Sequence, residues 1–364
     1  MSMAEEKRPF FSIVMPVYNG ECYLEAMLKS IINQSFTDWE LIVIDDDSRD
    51  RTPEIIEKAA LSEPRLRHIV LKNNRDVGMA RNRGVEEARG KYLWFADADD
   101  LVEPELLATV REALLNNPAK LTIFGLVEEY YDEKGVFQYA HRVSHPERYY
   151  RTKEELRPEM ICLEQETLYG YPWNKVYELE YLKTQGVQFS RYKDAKFIED
   201  IKFNVEYCMD IDSLNILSFC PYHYAKRARG SLTTEYVPEY YRFHCRRIEM
   251  LYDQHRYWGI CTREVREILG SLYGRYILSA MVRNCDRRSG LGFQGRSRWC
   301  RMLFEQELFG ELIPTAKSRD SRVLALALSL LKRKRVLPCL AMGRGIYIIR
   351  TCLPVLYSKV KSGR

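Results

Sequence analysis

Through its first 130 residues the chain alternates short, nearly unbroken apolar runs with segments in which apolar residues recur every three or four positions. Unbroken runs predict strands buried on both faces, and the helical period predicts amphipathic helices lying on them. Strands are expected at 11–16, 40–45, 66–72, 91–96 and 121–129, and helices at 23–32, 52–61, 79–88 and 104–115. In the first helix Leu24, Met27, Leu28 and Ile31 share one face, and Thr52 followed by Pro53 marks the start of the second. Strand and helix in strict alternation predict an α/β fold with a largely parallel sheet. Asp132-Glu133-Lys134-Gly135 reads as a hairpin turn, residues 136–235 are mixed and rich in tyrosine, and the pattern is helical from Glu239 onward.

This reading divides the chain into a tail at 1–9, a domain at 10–235 with halves meeting near 130, and a helical region at 236–364. Hydrophobic residues at 46% and charged residues at 29% exclude a disordered or low-complexity chain. The ten cysteines stand singly, without a C-x-x-C pair, which argues against structural zinc. No apolar stretch follows Met1, so the thiols are expected to be reduced and the protein cytoplasmic.

The net charge of +5 conceals an asymmetry, because residues 321–364 carry ten Lys/Arg and no acid, leaving 46 basic against 51 acidic residues, net −5, before them. Apolar runs in this tail are broken by Lys332-Arg333-Lys334-Arg335 and by Pro338, so none reaches the ~20 residues that span a bilayer. The expectation is a peripheral contact with an anionic membrane surface, with Leu324, Leu328, Leu331, Ile346 and Ile349 inserting. Nucleic acid is not an expected partner, since the rest of the chain is net acidic.

In an open parallel sheet ligands bind beyond the carboxyl ends of the strands, where this chain places Pro16 to Asn19, Asp45 to Asp47 and Asp97 to Asp100. Neither glycine-rich phosphate loop follows the first strand, which excludes a dinucleotide-binding turn and a P-loop. The carboxylates of Asp97, Asp99 and Asp100 offer another route to phosphate, through Mg²⁺ or Mn²⁺, which take hard oxygen ligands.

Four motifs in order, Val14-Met15-Pro16-Val17-Tyr18-Asn19, Ile44-Asp45-Asp46-Asp47-Ser48, Ala80-Arg81-Asn82-Arg83-Gly84 and Phe95-Ala96-Asp97-Ala98-Asp99-Asp100, resemble glycosyltransferase family 2, whose members share the GT-A nucleotide-sugar fold. Trp173-Asn174-Lys175, Glu199-Asp200 and Tyr222-His223-Tyr224 with Arg227 to Ser231 extend the resemblance to about residue 235. It implies an inverting, metal-dependent transferase of surface-polysaccharide type. The donor would be a nucleotide sugar, a UDP-sugar, and the acceptor a saccharide or lipid-linked glycan.

By the same resemblance Pro16, Tyr18, Asn19, Asp45, Asp46, Arg81 and Asp97 would line the donor site, with Asp99 and Asp97 as metal ligands. Asp200, with Glu199 beside it, would be the general base, and Trp173, Asn174 and Lys175 would meet the acceptor. His223 is a further candidate ligand, against the plainer reading of a structural histidine. Two positions depart from the family pattern: Asp47 stands where glycine is usual, and Asp76 stands where glycine commonly follows the asparagine near Asn74. A non-catalytic glycan-binding scaffold, or a nucleotidyltransferase, would use the same fold, and a homo-oligomer is among the states the sequence allows.

Overall fold

The computed structural model describes residues 8–72, 76–191, 194–227, 236–318 and 321–352. The chain divides into two compact units, Met1–Thr234 and Glu235–Arg364.

The first unit runs β1 (Phe11–Val17), α1 (Leu24–Ile32), β2 (Trp39–Asp45), α2 (Thr52–Ser62), β3 (Leu66–Val70), α3 (Val77–Glu87), β4 (Tyr92–Phe95), β5 (Leu101–Val102) and α4 (Leu106–Asn116). It continues with β6 (Leu121–Tyr131), β7 (Phe137–Val143), β8 (Arg148–Tyr150), α5 (Lys153–Leu156), α6 (Glu159–Gln165), β9 (Lys175–Glu178), α7 (Leu179–Gln185), α8 (Glu199–Cys208) and β10 (Leu214–Arg227). Every residue of β1 and β2 is buried, as unbroken apolar runs require. Helix α3 starts at Val77, earlier than its apolar period suggests, because the Asp76 carboxylate accepts the Gly78 N–H and caps it.

Among the described residues the strands form one sheet in the order β3-β2-β1-β4-β9-β6-β10-β5, with β7 on β6 and β8 on β10. β1 lies parallel to β2 and β4, so Val17 is level with Asp45 and Val14 with Phe95. β9 runs antiparallel between β4 and β6, which the alternating pattern of the first half does not announce. Helix α3 rests directly on β1: a Cβ on Gly84 would lie 2.2 Å from Val14 Cγ1, so only glycine fits there.

The second unit is helical, with α9 (Tyr240–Tyr257), α10 (Arg263–Arg283), α11 (Phe293–Glu305), α12 (Glu307–Leu312), α13 (Arg322–Lys332) and α14 (Val336–Cys352). The expected insertion of Leu324, Leu328 and Leu331 into a membrane is corrected here. All three are buried within the unit, where α13 packs so closely on α10 that a Cβ on Gly274 would meet Leu328 Cδ2 at 2.5 Å. Ile346 is half-buried and Ile349 exposed, and Lys332 to Arg335 are exposed where α13 turns into α14. No helix among the described residues is long and apolar enough to cross a membrane, and residues 353–364 lie outside them.

Candidate active site

Three strand ends converge. Beyond β1, Pro16 is buried within the strand and Tyr18 is 44% exposed. Asn19 ties this loop to the one after β2: its N–H donates to Ser48 Oγ at 2.9 Å, and its side-chain oxygen accepts the Arg49 N–H at 2.8 Å. Asp45 is buried and accepts the Ser48 N–H at 3.0 Å. Asp46 is buried too, and its Oδ1 has no hydrogen-bond partner among the described residues. Desolvation, opposed by a hydrogen bond from the Asp76 backbone and reinforced by the charges of Asp76, Asp45 and Asp47, pushes its pKa up to about 6.

The departure at Asp47 has a physical reading. This residue adopts φ +67°, the left-handed region that explains why glycine suits the position, and its carboxylate pairs with Arg49 at 2.9 Å. Asp76 serves as the α3 cap while its charge faces Asp46. Asn74 lies outside the described residues, as do residues 228–231 of the motif that begins at Arg227.

Beyond β4 the three carboxylates have three environments. Asp97 is partly exposed and accepts from Arg81 Nη2 at 3.0 Å. Asp99 is open to solvent, and Arg227 grips it with Nη1 on Oδ2 at 3.0 Å and Nη2 on the backbone oxygen at 2.7 Å. Asp100 is buried, accepting the Ala225 N–H at 2.9 Å and the Tyr222 hydroxyl at 2.8 Å, and so fastens this loop to β10. Desolvation and the neighbouring Asp97 charge raise the pKa of Asp99.

Helix α8 delivers Glu199 and Asp200 to the same place. Arg81 Nη1 donates to Asp200 Oδ1 at 2.7 Å, so one buried guanidinium joins Asp200 to Asp97. Its flat face lies 5.1 Å from the Phe189 ring, which stacks on Phe203. Asn82, one residue on, donates to the Phe189 oxygen at 2.9 Å and accepts the Phe189 N–H at 2.8 Å, pinning α3 to the segment before α8. Glu199 is buried with Oε2 unpartnered among the described residues. Desolvation raises the pKa of both carboxyls, Glu199 further through Asp200, while Arg81 works against the rise at Asp200.

Two expectations meet a different arrangement. Trp173, Asn174 and Lys175 are buried, and the polar atoms of the last two are engaged by protein. Lys175 Nζ donates to the Leu168 and Tyr171 oxygens at 2.6 Å each and to Asn174 Oδ1 at 2.8 Å, and desolvation lowers its pKa to about 7. These side chains hold the 168–174 loop from inside and present no polar group to an acceptor. His223 faces Glu129 and Glu103 at 2.8 Å each, so neither ring nitrogen is left for a metal. The sequence resemblance includes Tyr224 and Phe189 but assigns neither a role. The period of two along 222–227 separates Tyr222, Tyr224 and Lys226 from His223, Ala225 and Arg227, and was the available signal.

Asp97 and Asp99 have the donor chemistry for a hard divalent cation: two carboxylates with one residue between them, one crowded by the other's charge, each now paired with an arginine. Among the described residues no cluster of three or more His, Cys, Asp or Glu stands ready to hold a metal.

Residues 12–182 match the family model of Glycosyl transferase family 2. That match marks residues 12–182 as a glycosyltransferase family 2 domain. Similar proteins include the uncharacterized glycosyltransferase EpsJ of Bacillus subtilis, 27% identical over 63% of this chain and 65% of that protein. The poly(ribitol-phosphate) beta-N-acetylglucosaminyltransferase TarS of Staphylococcus aureus is 26% identical over 62% of this chain and 37% of its own length. The matches therefore span less than two thirds of these relatives. A crystal structure of S. aureus TarS 1–349 in complex with UDP-GlcNAc superposes with a TM-score of 0.62 at 21% identity, covering 92% of this chain and 90% of that one. The fold is thus that of the GT-A enzymes in family 2.

Proposed function

We propose that this chain moves a sugar from a UDP-sugar to a saccharide or lipid-linked glycan acceptor, by one displacement with inversion, using Mn²⁺ or Mg²⁺. One observation carries the reading: Arg81 joins Asp200, from a separate segment, to Asp97 in the loop that also bears Asp99. A carboxylate of raised proton affinity suits the removal of an acceptor hydroxyl proton. Asp200 would take that proton as the hydroxyl oxygen attacks the anomeric carbon, and Arg81 keeps its carboxylate oriented and ionised. Attack from the face opposite the leaving diphosphate inverts the anomeric centre.

Asp97 and Asp99 would hold the cation, which when bound neutralises the nucleoside diphosphate leaving group. The unpartnered Asp46 Oδ1 suits the imide N–H of uracil, and Tyr18 offers an exposed ring at the base pocket. A UDP-sugar is favoured because TarS crystallises with UDP-GlcNAc on this fold. The exposed Lys332 to Arg335, with Leu337, Ile348 and Ile349 exposed on α14, suit a peripheral attachment to an anionic membrane carrying the acceptor.

Thermal stabilisation by nucleotides and nucleotide sugars, each with and without Mn²⁺, tests this on the full chain and on Asp99→Ala. A ligand at 100 times Kd stabilises by about 2.7 kcal/mol. One UDP-sugar stabilising only with metal, and losing that effect in Asp99→Ala, supports the reading. No stabilisation by any nucleotide leaves a scaffold, and release of pyrophosphate in place of UDP leaves a nucleotidyltransferase.

A further inference from the structure

Tyr222, Tyr224 and Lys226 project from one face of β10, and β6 and β7 extend that face outward. Tyr224 is level with Glu128 and His141, and Lys226 with Tyr130 and Tyr139. At the inner end Tyr222 touches the catalytic loop, its hydroxyl on Asp100 and within 3.3 Å of the Asp97 N–H. Trp173 stacks on Tyr222 at 4.3 Å and stands 5.0 Å from Tyr224. Lys226 Nζ lies 5.6 Å from the Tyr224 ring and 5.2 Å from that of Tyr130. Tyr130 stacks on Tyr139 at 4.4 Å, and Tyr139 is 51% exposed. Trp173 and Tyr222 are buried, so the accessible part of the strip begins at half-buried Tyr224, beside the Ala225 N–H that binds Asp100, and ends at Tyr139 on the β6–β7 hairpin.

We infer that this strip is the acceptor track, and that it takes an uncharged chain of pyranose sugars. The inference rests on the reading of the Asp97, Asp99 and Asp200 cluster as a glycosyltransferase site. Pyranose rings present C–H faces to the negative faces of aromatic rings, and a row of such rings grips successive sugars without reading charge. The electrostatics fit a neutral ligand. The Lys226 ammonium is already paired with the Glu128 carboxylate, which also accepts the Tyr130 hydroxyl at 2.8 Å, so the strip offers no uncompensated cation to a polyanion. A track that begins at Tyr224, next to the Ala225–Asp100 hydrogen bond, would bring the end of the chain toward Asp200, whereas the buried Asn174 and Lys175 side chains have no surface to do so. A polyol-phosphate acceptor, as in the name of TarS, is disfavoured here.

The test is binding by the full chain of neutral tetrasaccharides (cello-, chito- and malto-series), set against poly(ribitol phosphate), followed by saturation-transfer NMR and calorimetry. At least one neutral tetrasaccharide is expected to bind. Tyr130→Ala and Tyr139→Ala should each weaken it by ~10-fold or more, the loss of about 1.4 kcal/mol. Tyr139→Phe should retain it, because the ring and not the hydroxyl does the stacking. UDP-GlcNAc binding, measured on the same samples, should stay unchanged; its absence in the wild type would sink the donor reading separately. The inference is overturned if no neutral tetrasaccharide binds, if both alanine variants bind as the wild type does, or if Tyr139→Phe loses as much as Tyr139→Ala. Tight binding of poly(ribitol phosphate) that Lys226→Ala abolishes overturns it as well.

Discussion

Arg81 and Asp200 meet at 2.7 Å across 119 residues of sequence, and the same guanidinium reaches Asp97 at 3.0 Å. Both carboxylates, each 26% exposed, depend on this buried guanidinium for charge compensation. Removing one partner of a buried ionic network costs about 3–5 kcal/mol, because the remaining charge is left uncompensated. Arg81→Ala should therefore destabilise the first unit by that amount in urea titration. Adding Asp200→Asn should recover part of the loss, a recovery that a simple cavity effect would not show.

The grip of Arg227 on Asp99 sets a competition with any cation there. The Asp99 side chain is 59% exposed, and exposed pairs contribute only about 0.2–1 kcal/mol. Arg227→Ala should then bind Mn²⁺ up to ~5-fold more tightly in the absence of nucleotide, a factor that follows from the same energy. Electron paramagnetic resonance of free Mn²⁺ reads this directly, and Asp99→Ala should abolish the binding. Weaker binding in Arg227→Ala would show that Arg227 organises the site and does not compete for it.

Asp46 gives a stability signature in pH. Its folded pKa of about 6 lies above the ordinary carboxylate value of 3.8, so the folded state holds the proton more tightly. Stability contributed by the protonated form is therefore lost as pH rises from about 4 to about 6, and the charged form remains costly above that. Asp46→Asn should be more stable than wild type by about 1–3 kcal/mol at pH 7.5, with the advantage gone near pH 4. Uridine nucleotide affinity should fall in the same variant. Denaturant titrations at several pH values, with and without UDP, separate the two effects.

At Asp47 a left-handed backbone bears a side chain. That conformation costs a non-glycine residue about 1 kcal/mol or more, against an exposed Arg49 pair that contributes less than about 1 kcal/mol. Asp47→Gly should raise the melting temperature by about 2 °C, and a fall would show the Arg49 pair to be the larger contribution.

The parts legible in the sequence were those in which local pattern and fold agree. β1 and β2 are buried on both faces and read as unbroken apolar runs, and the stripe of Leu24, Met27, Leu28 and Ile31 is the buried face of α1. The place of Asp97 and Asp99 just beyond β4 was legible because the strand before them is an unbroken apolar run. The burial of Asn174 and Lys175 was not legible, because polar side chains go inside when the fold supplies partners, here the oxygens of Leu168 and Tyr171. The Arg81 bridge was equally hidden, since one of its ends lies in a helix that local periodicity cannot bring near.

The place of β9 in the sheet bears on how the protein is made. Its four residues lie between β4 and β6, antiparallel to both, although both precede it in the chain. On a ribosome, then, β4 and β6 emerge with a gap that closes only once Lys175–Glu178 has left the exit tunnel. Until that moment Tyr92–Phe95, buried at every position in the finished protein, keeps an open hydrogen-bonding edge. That edge is what a chaperone, or a neighbouring nascent chain, meets first.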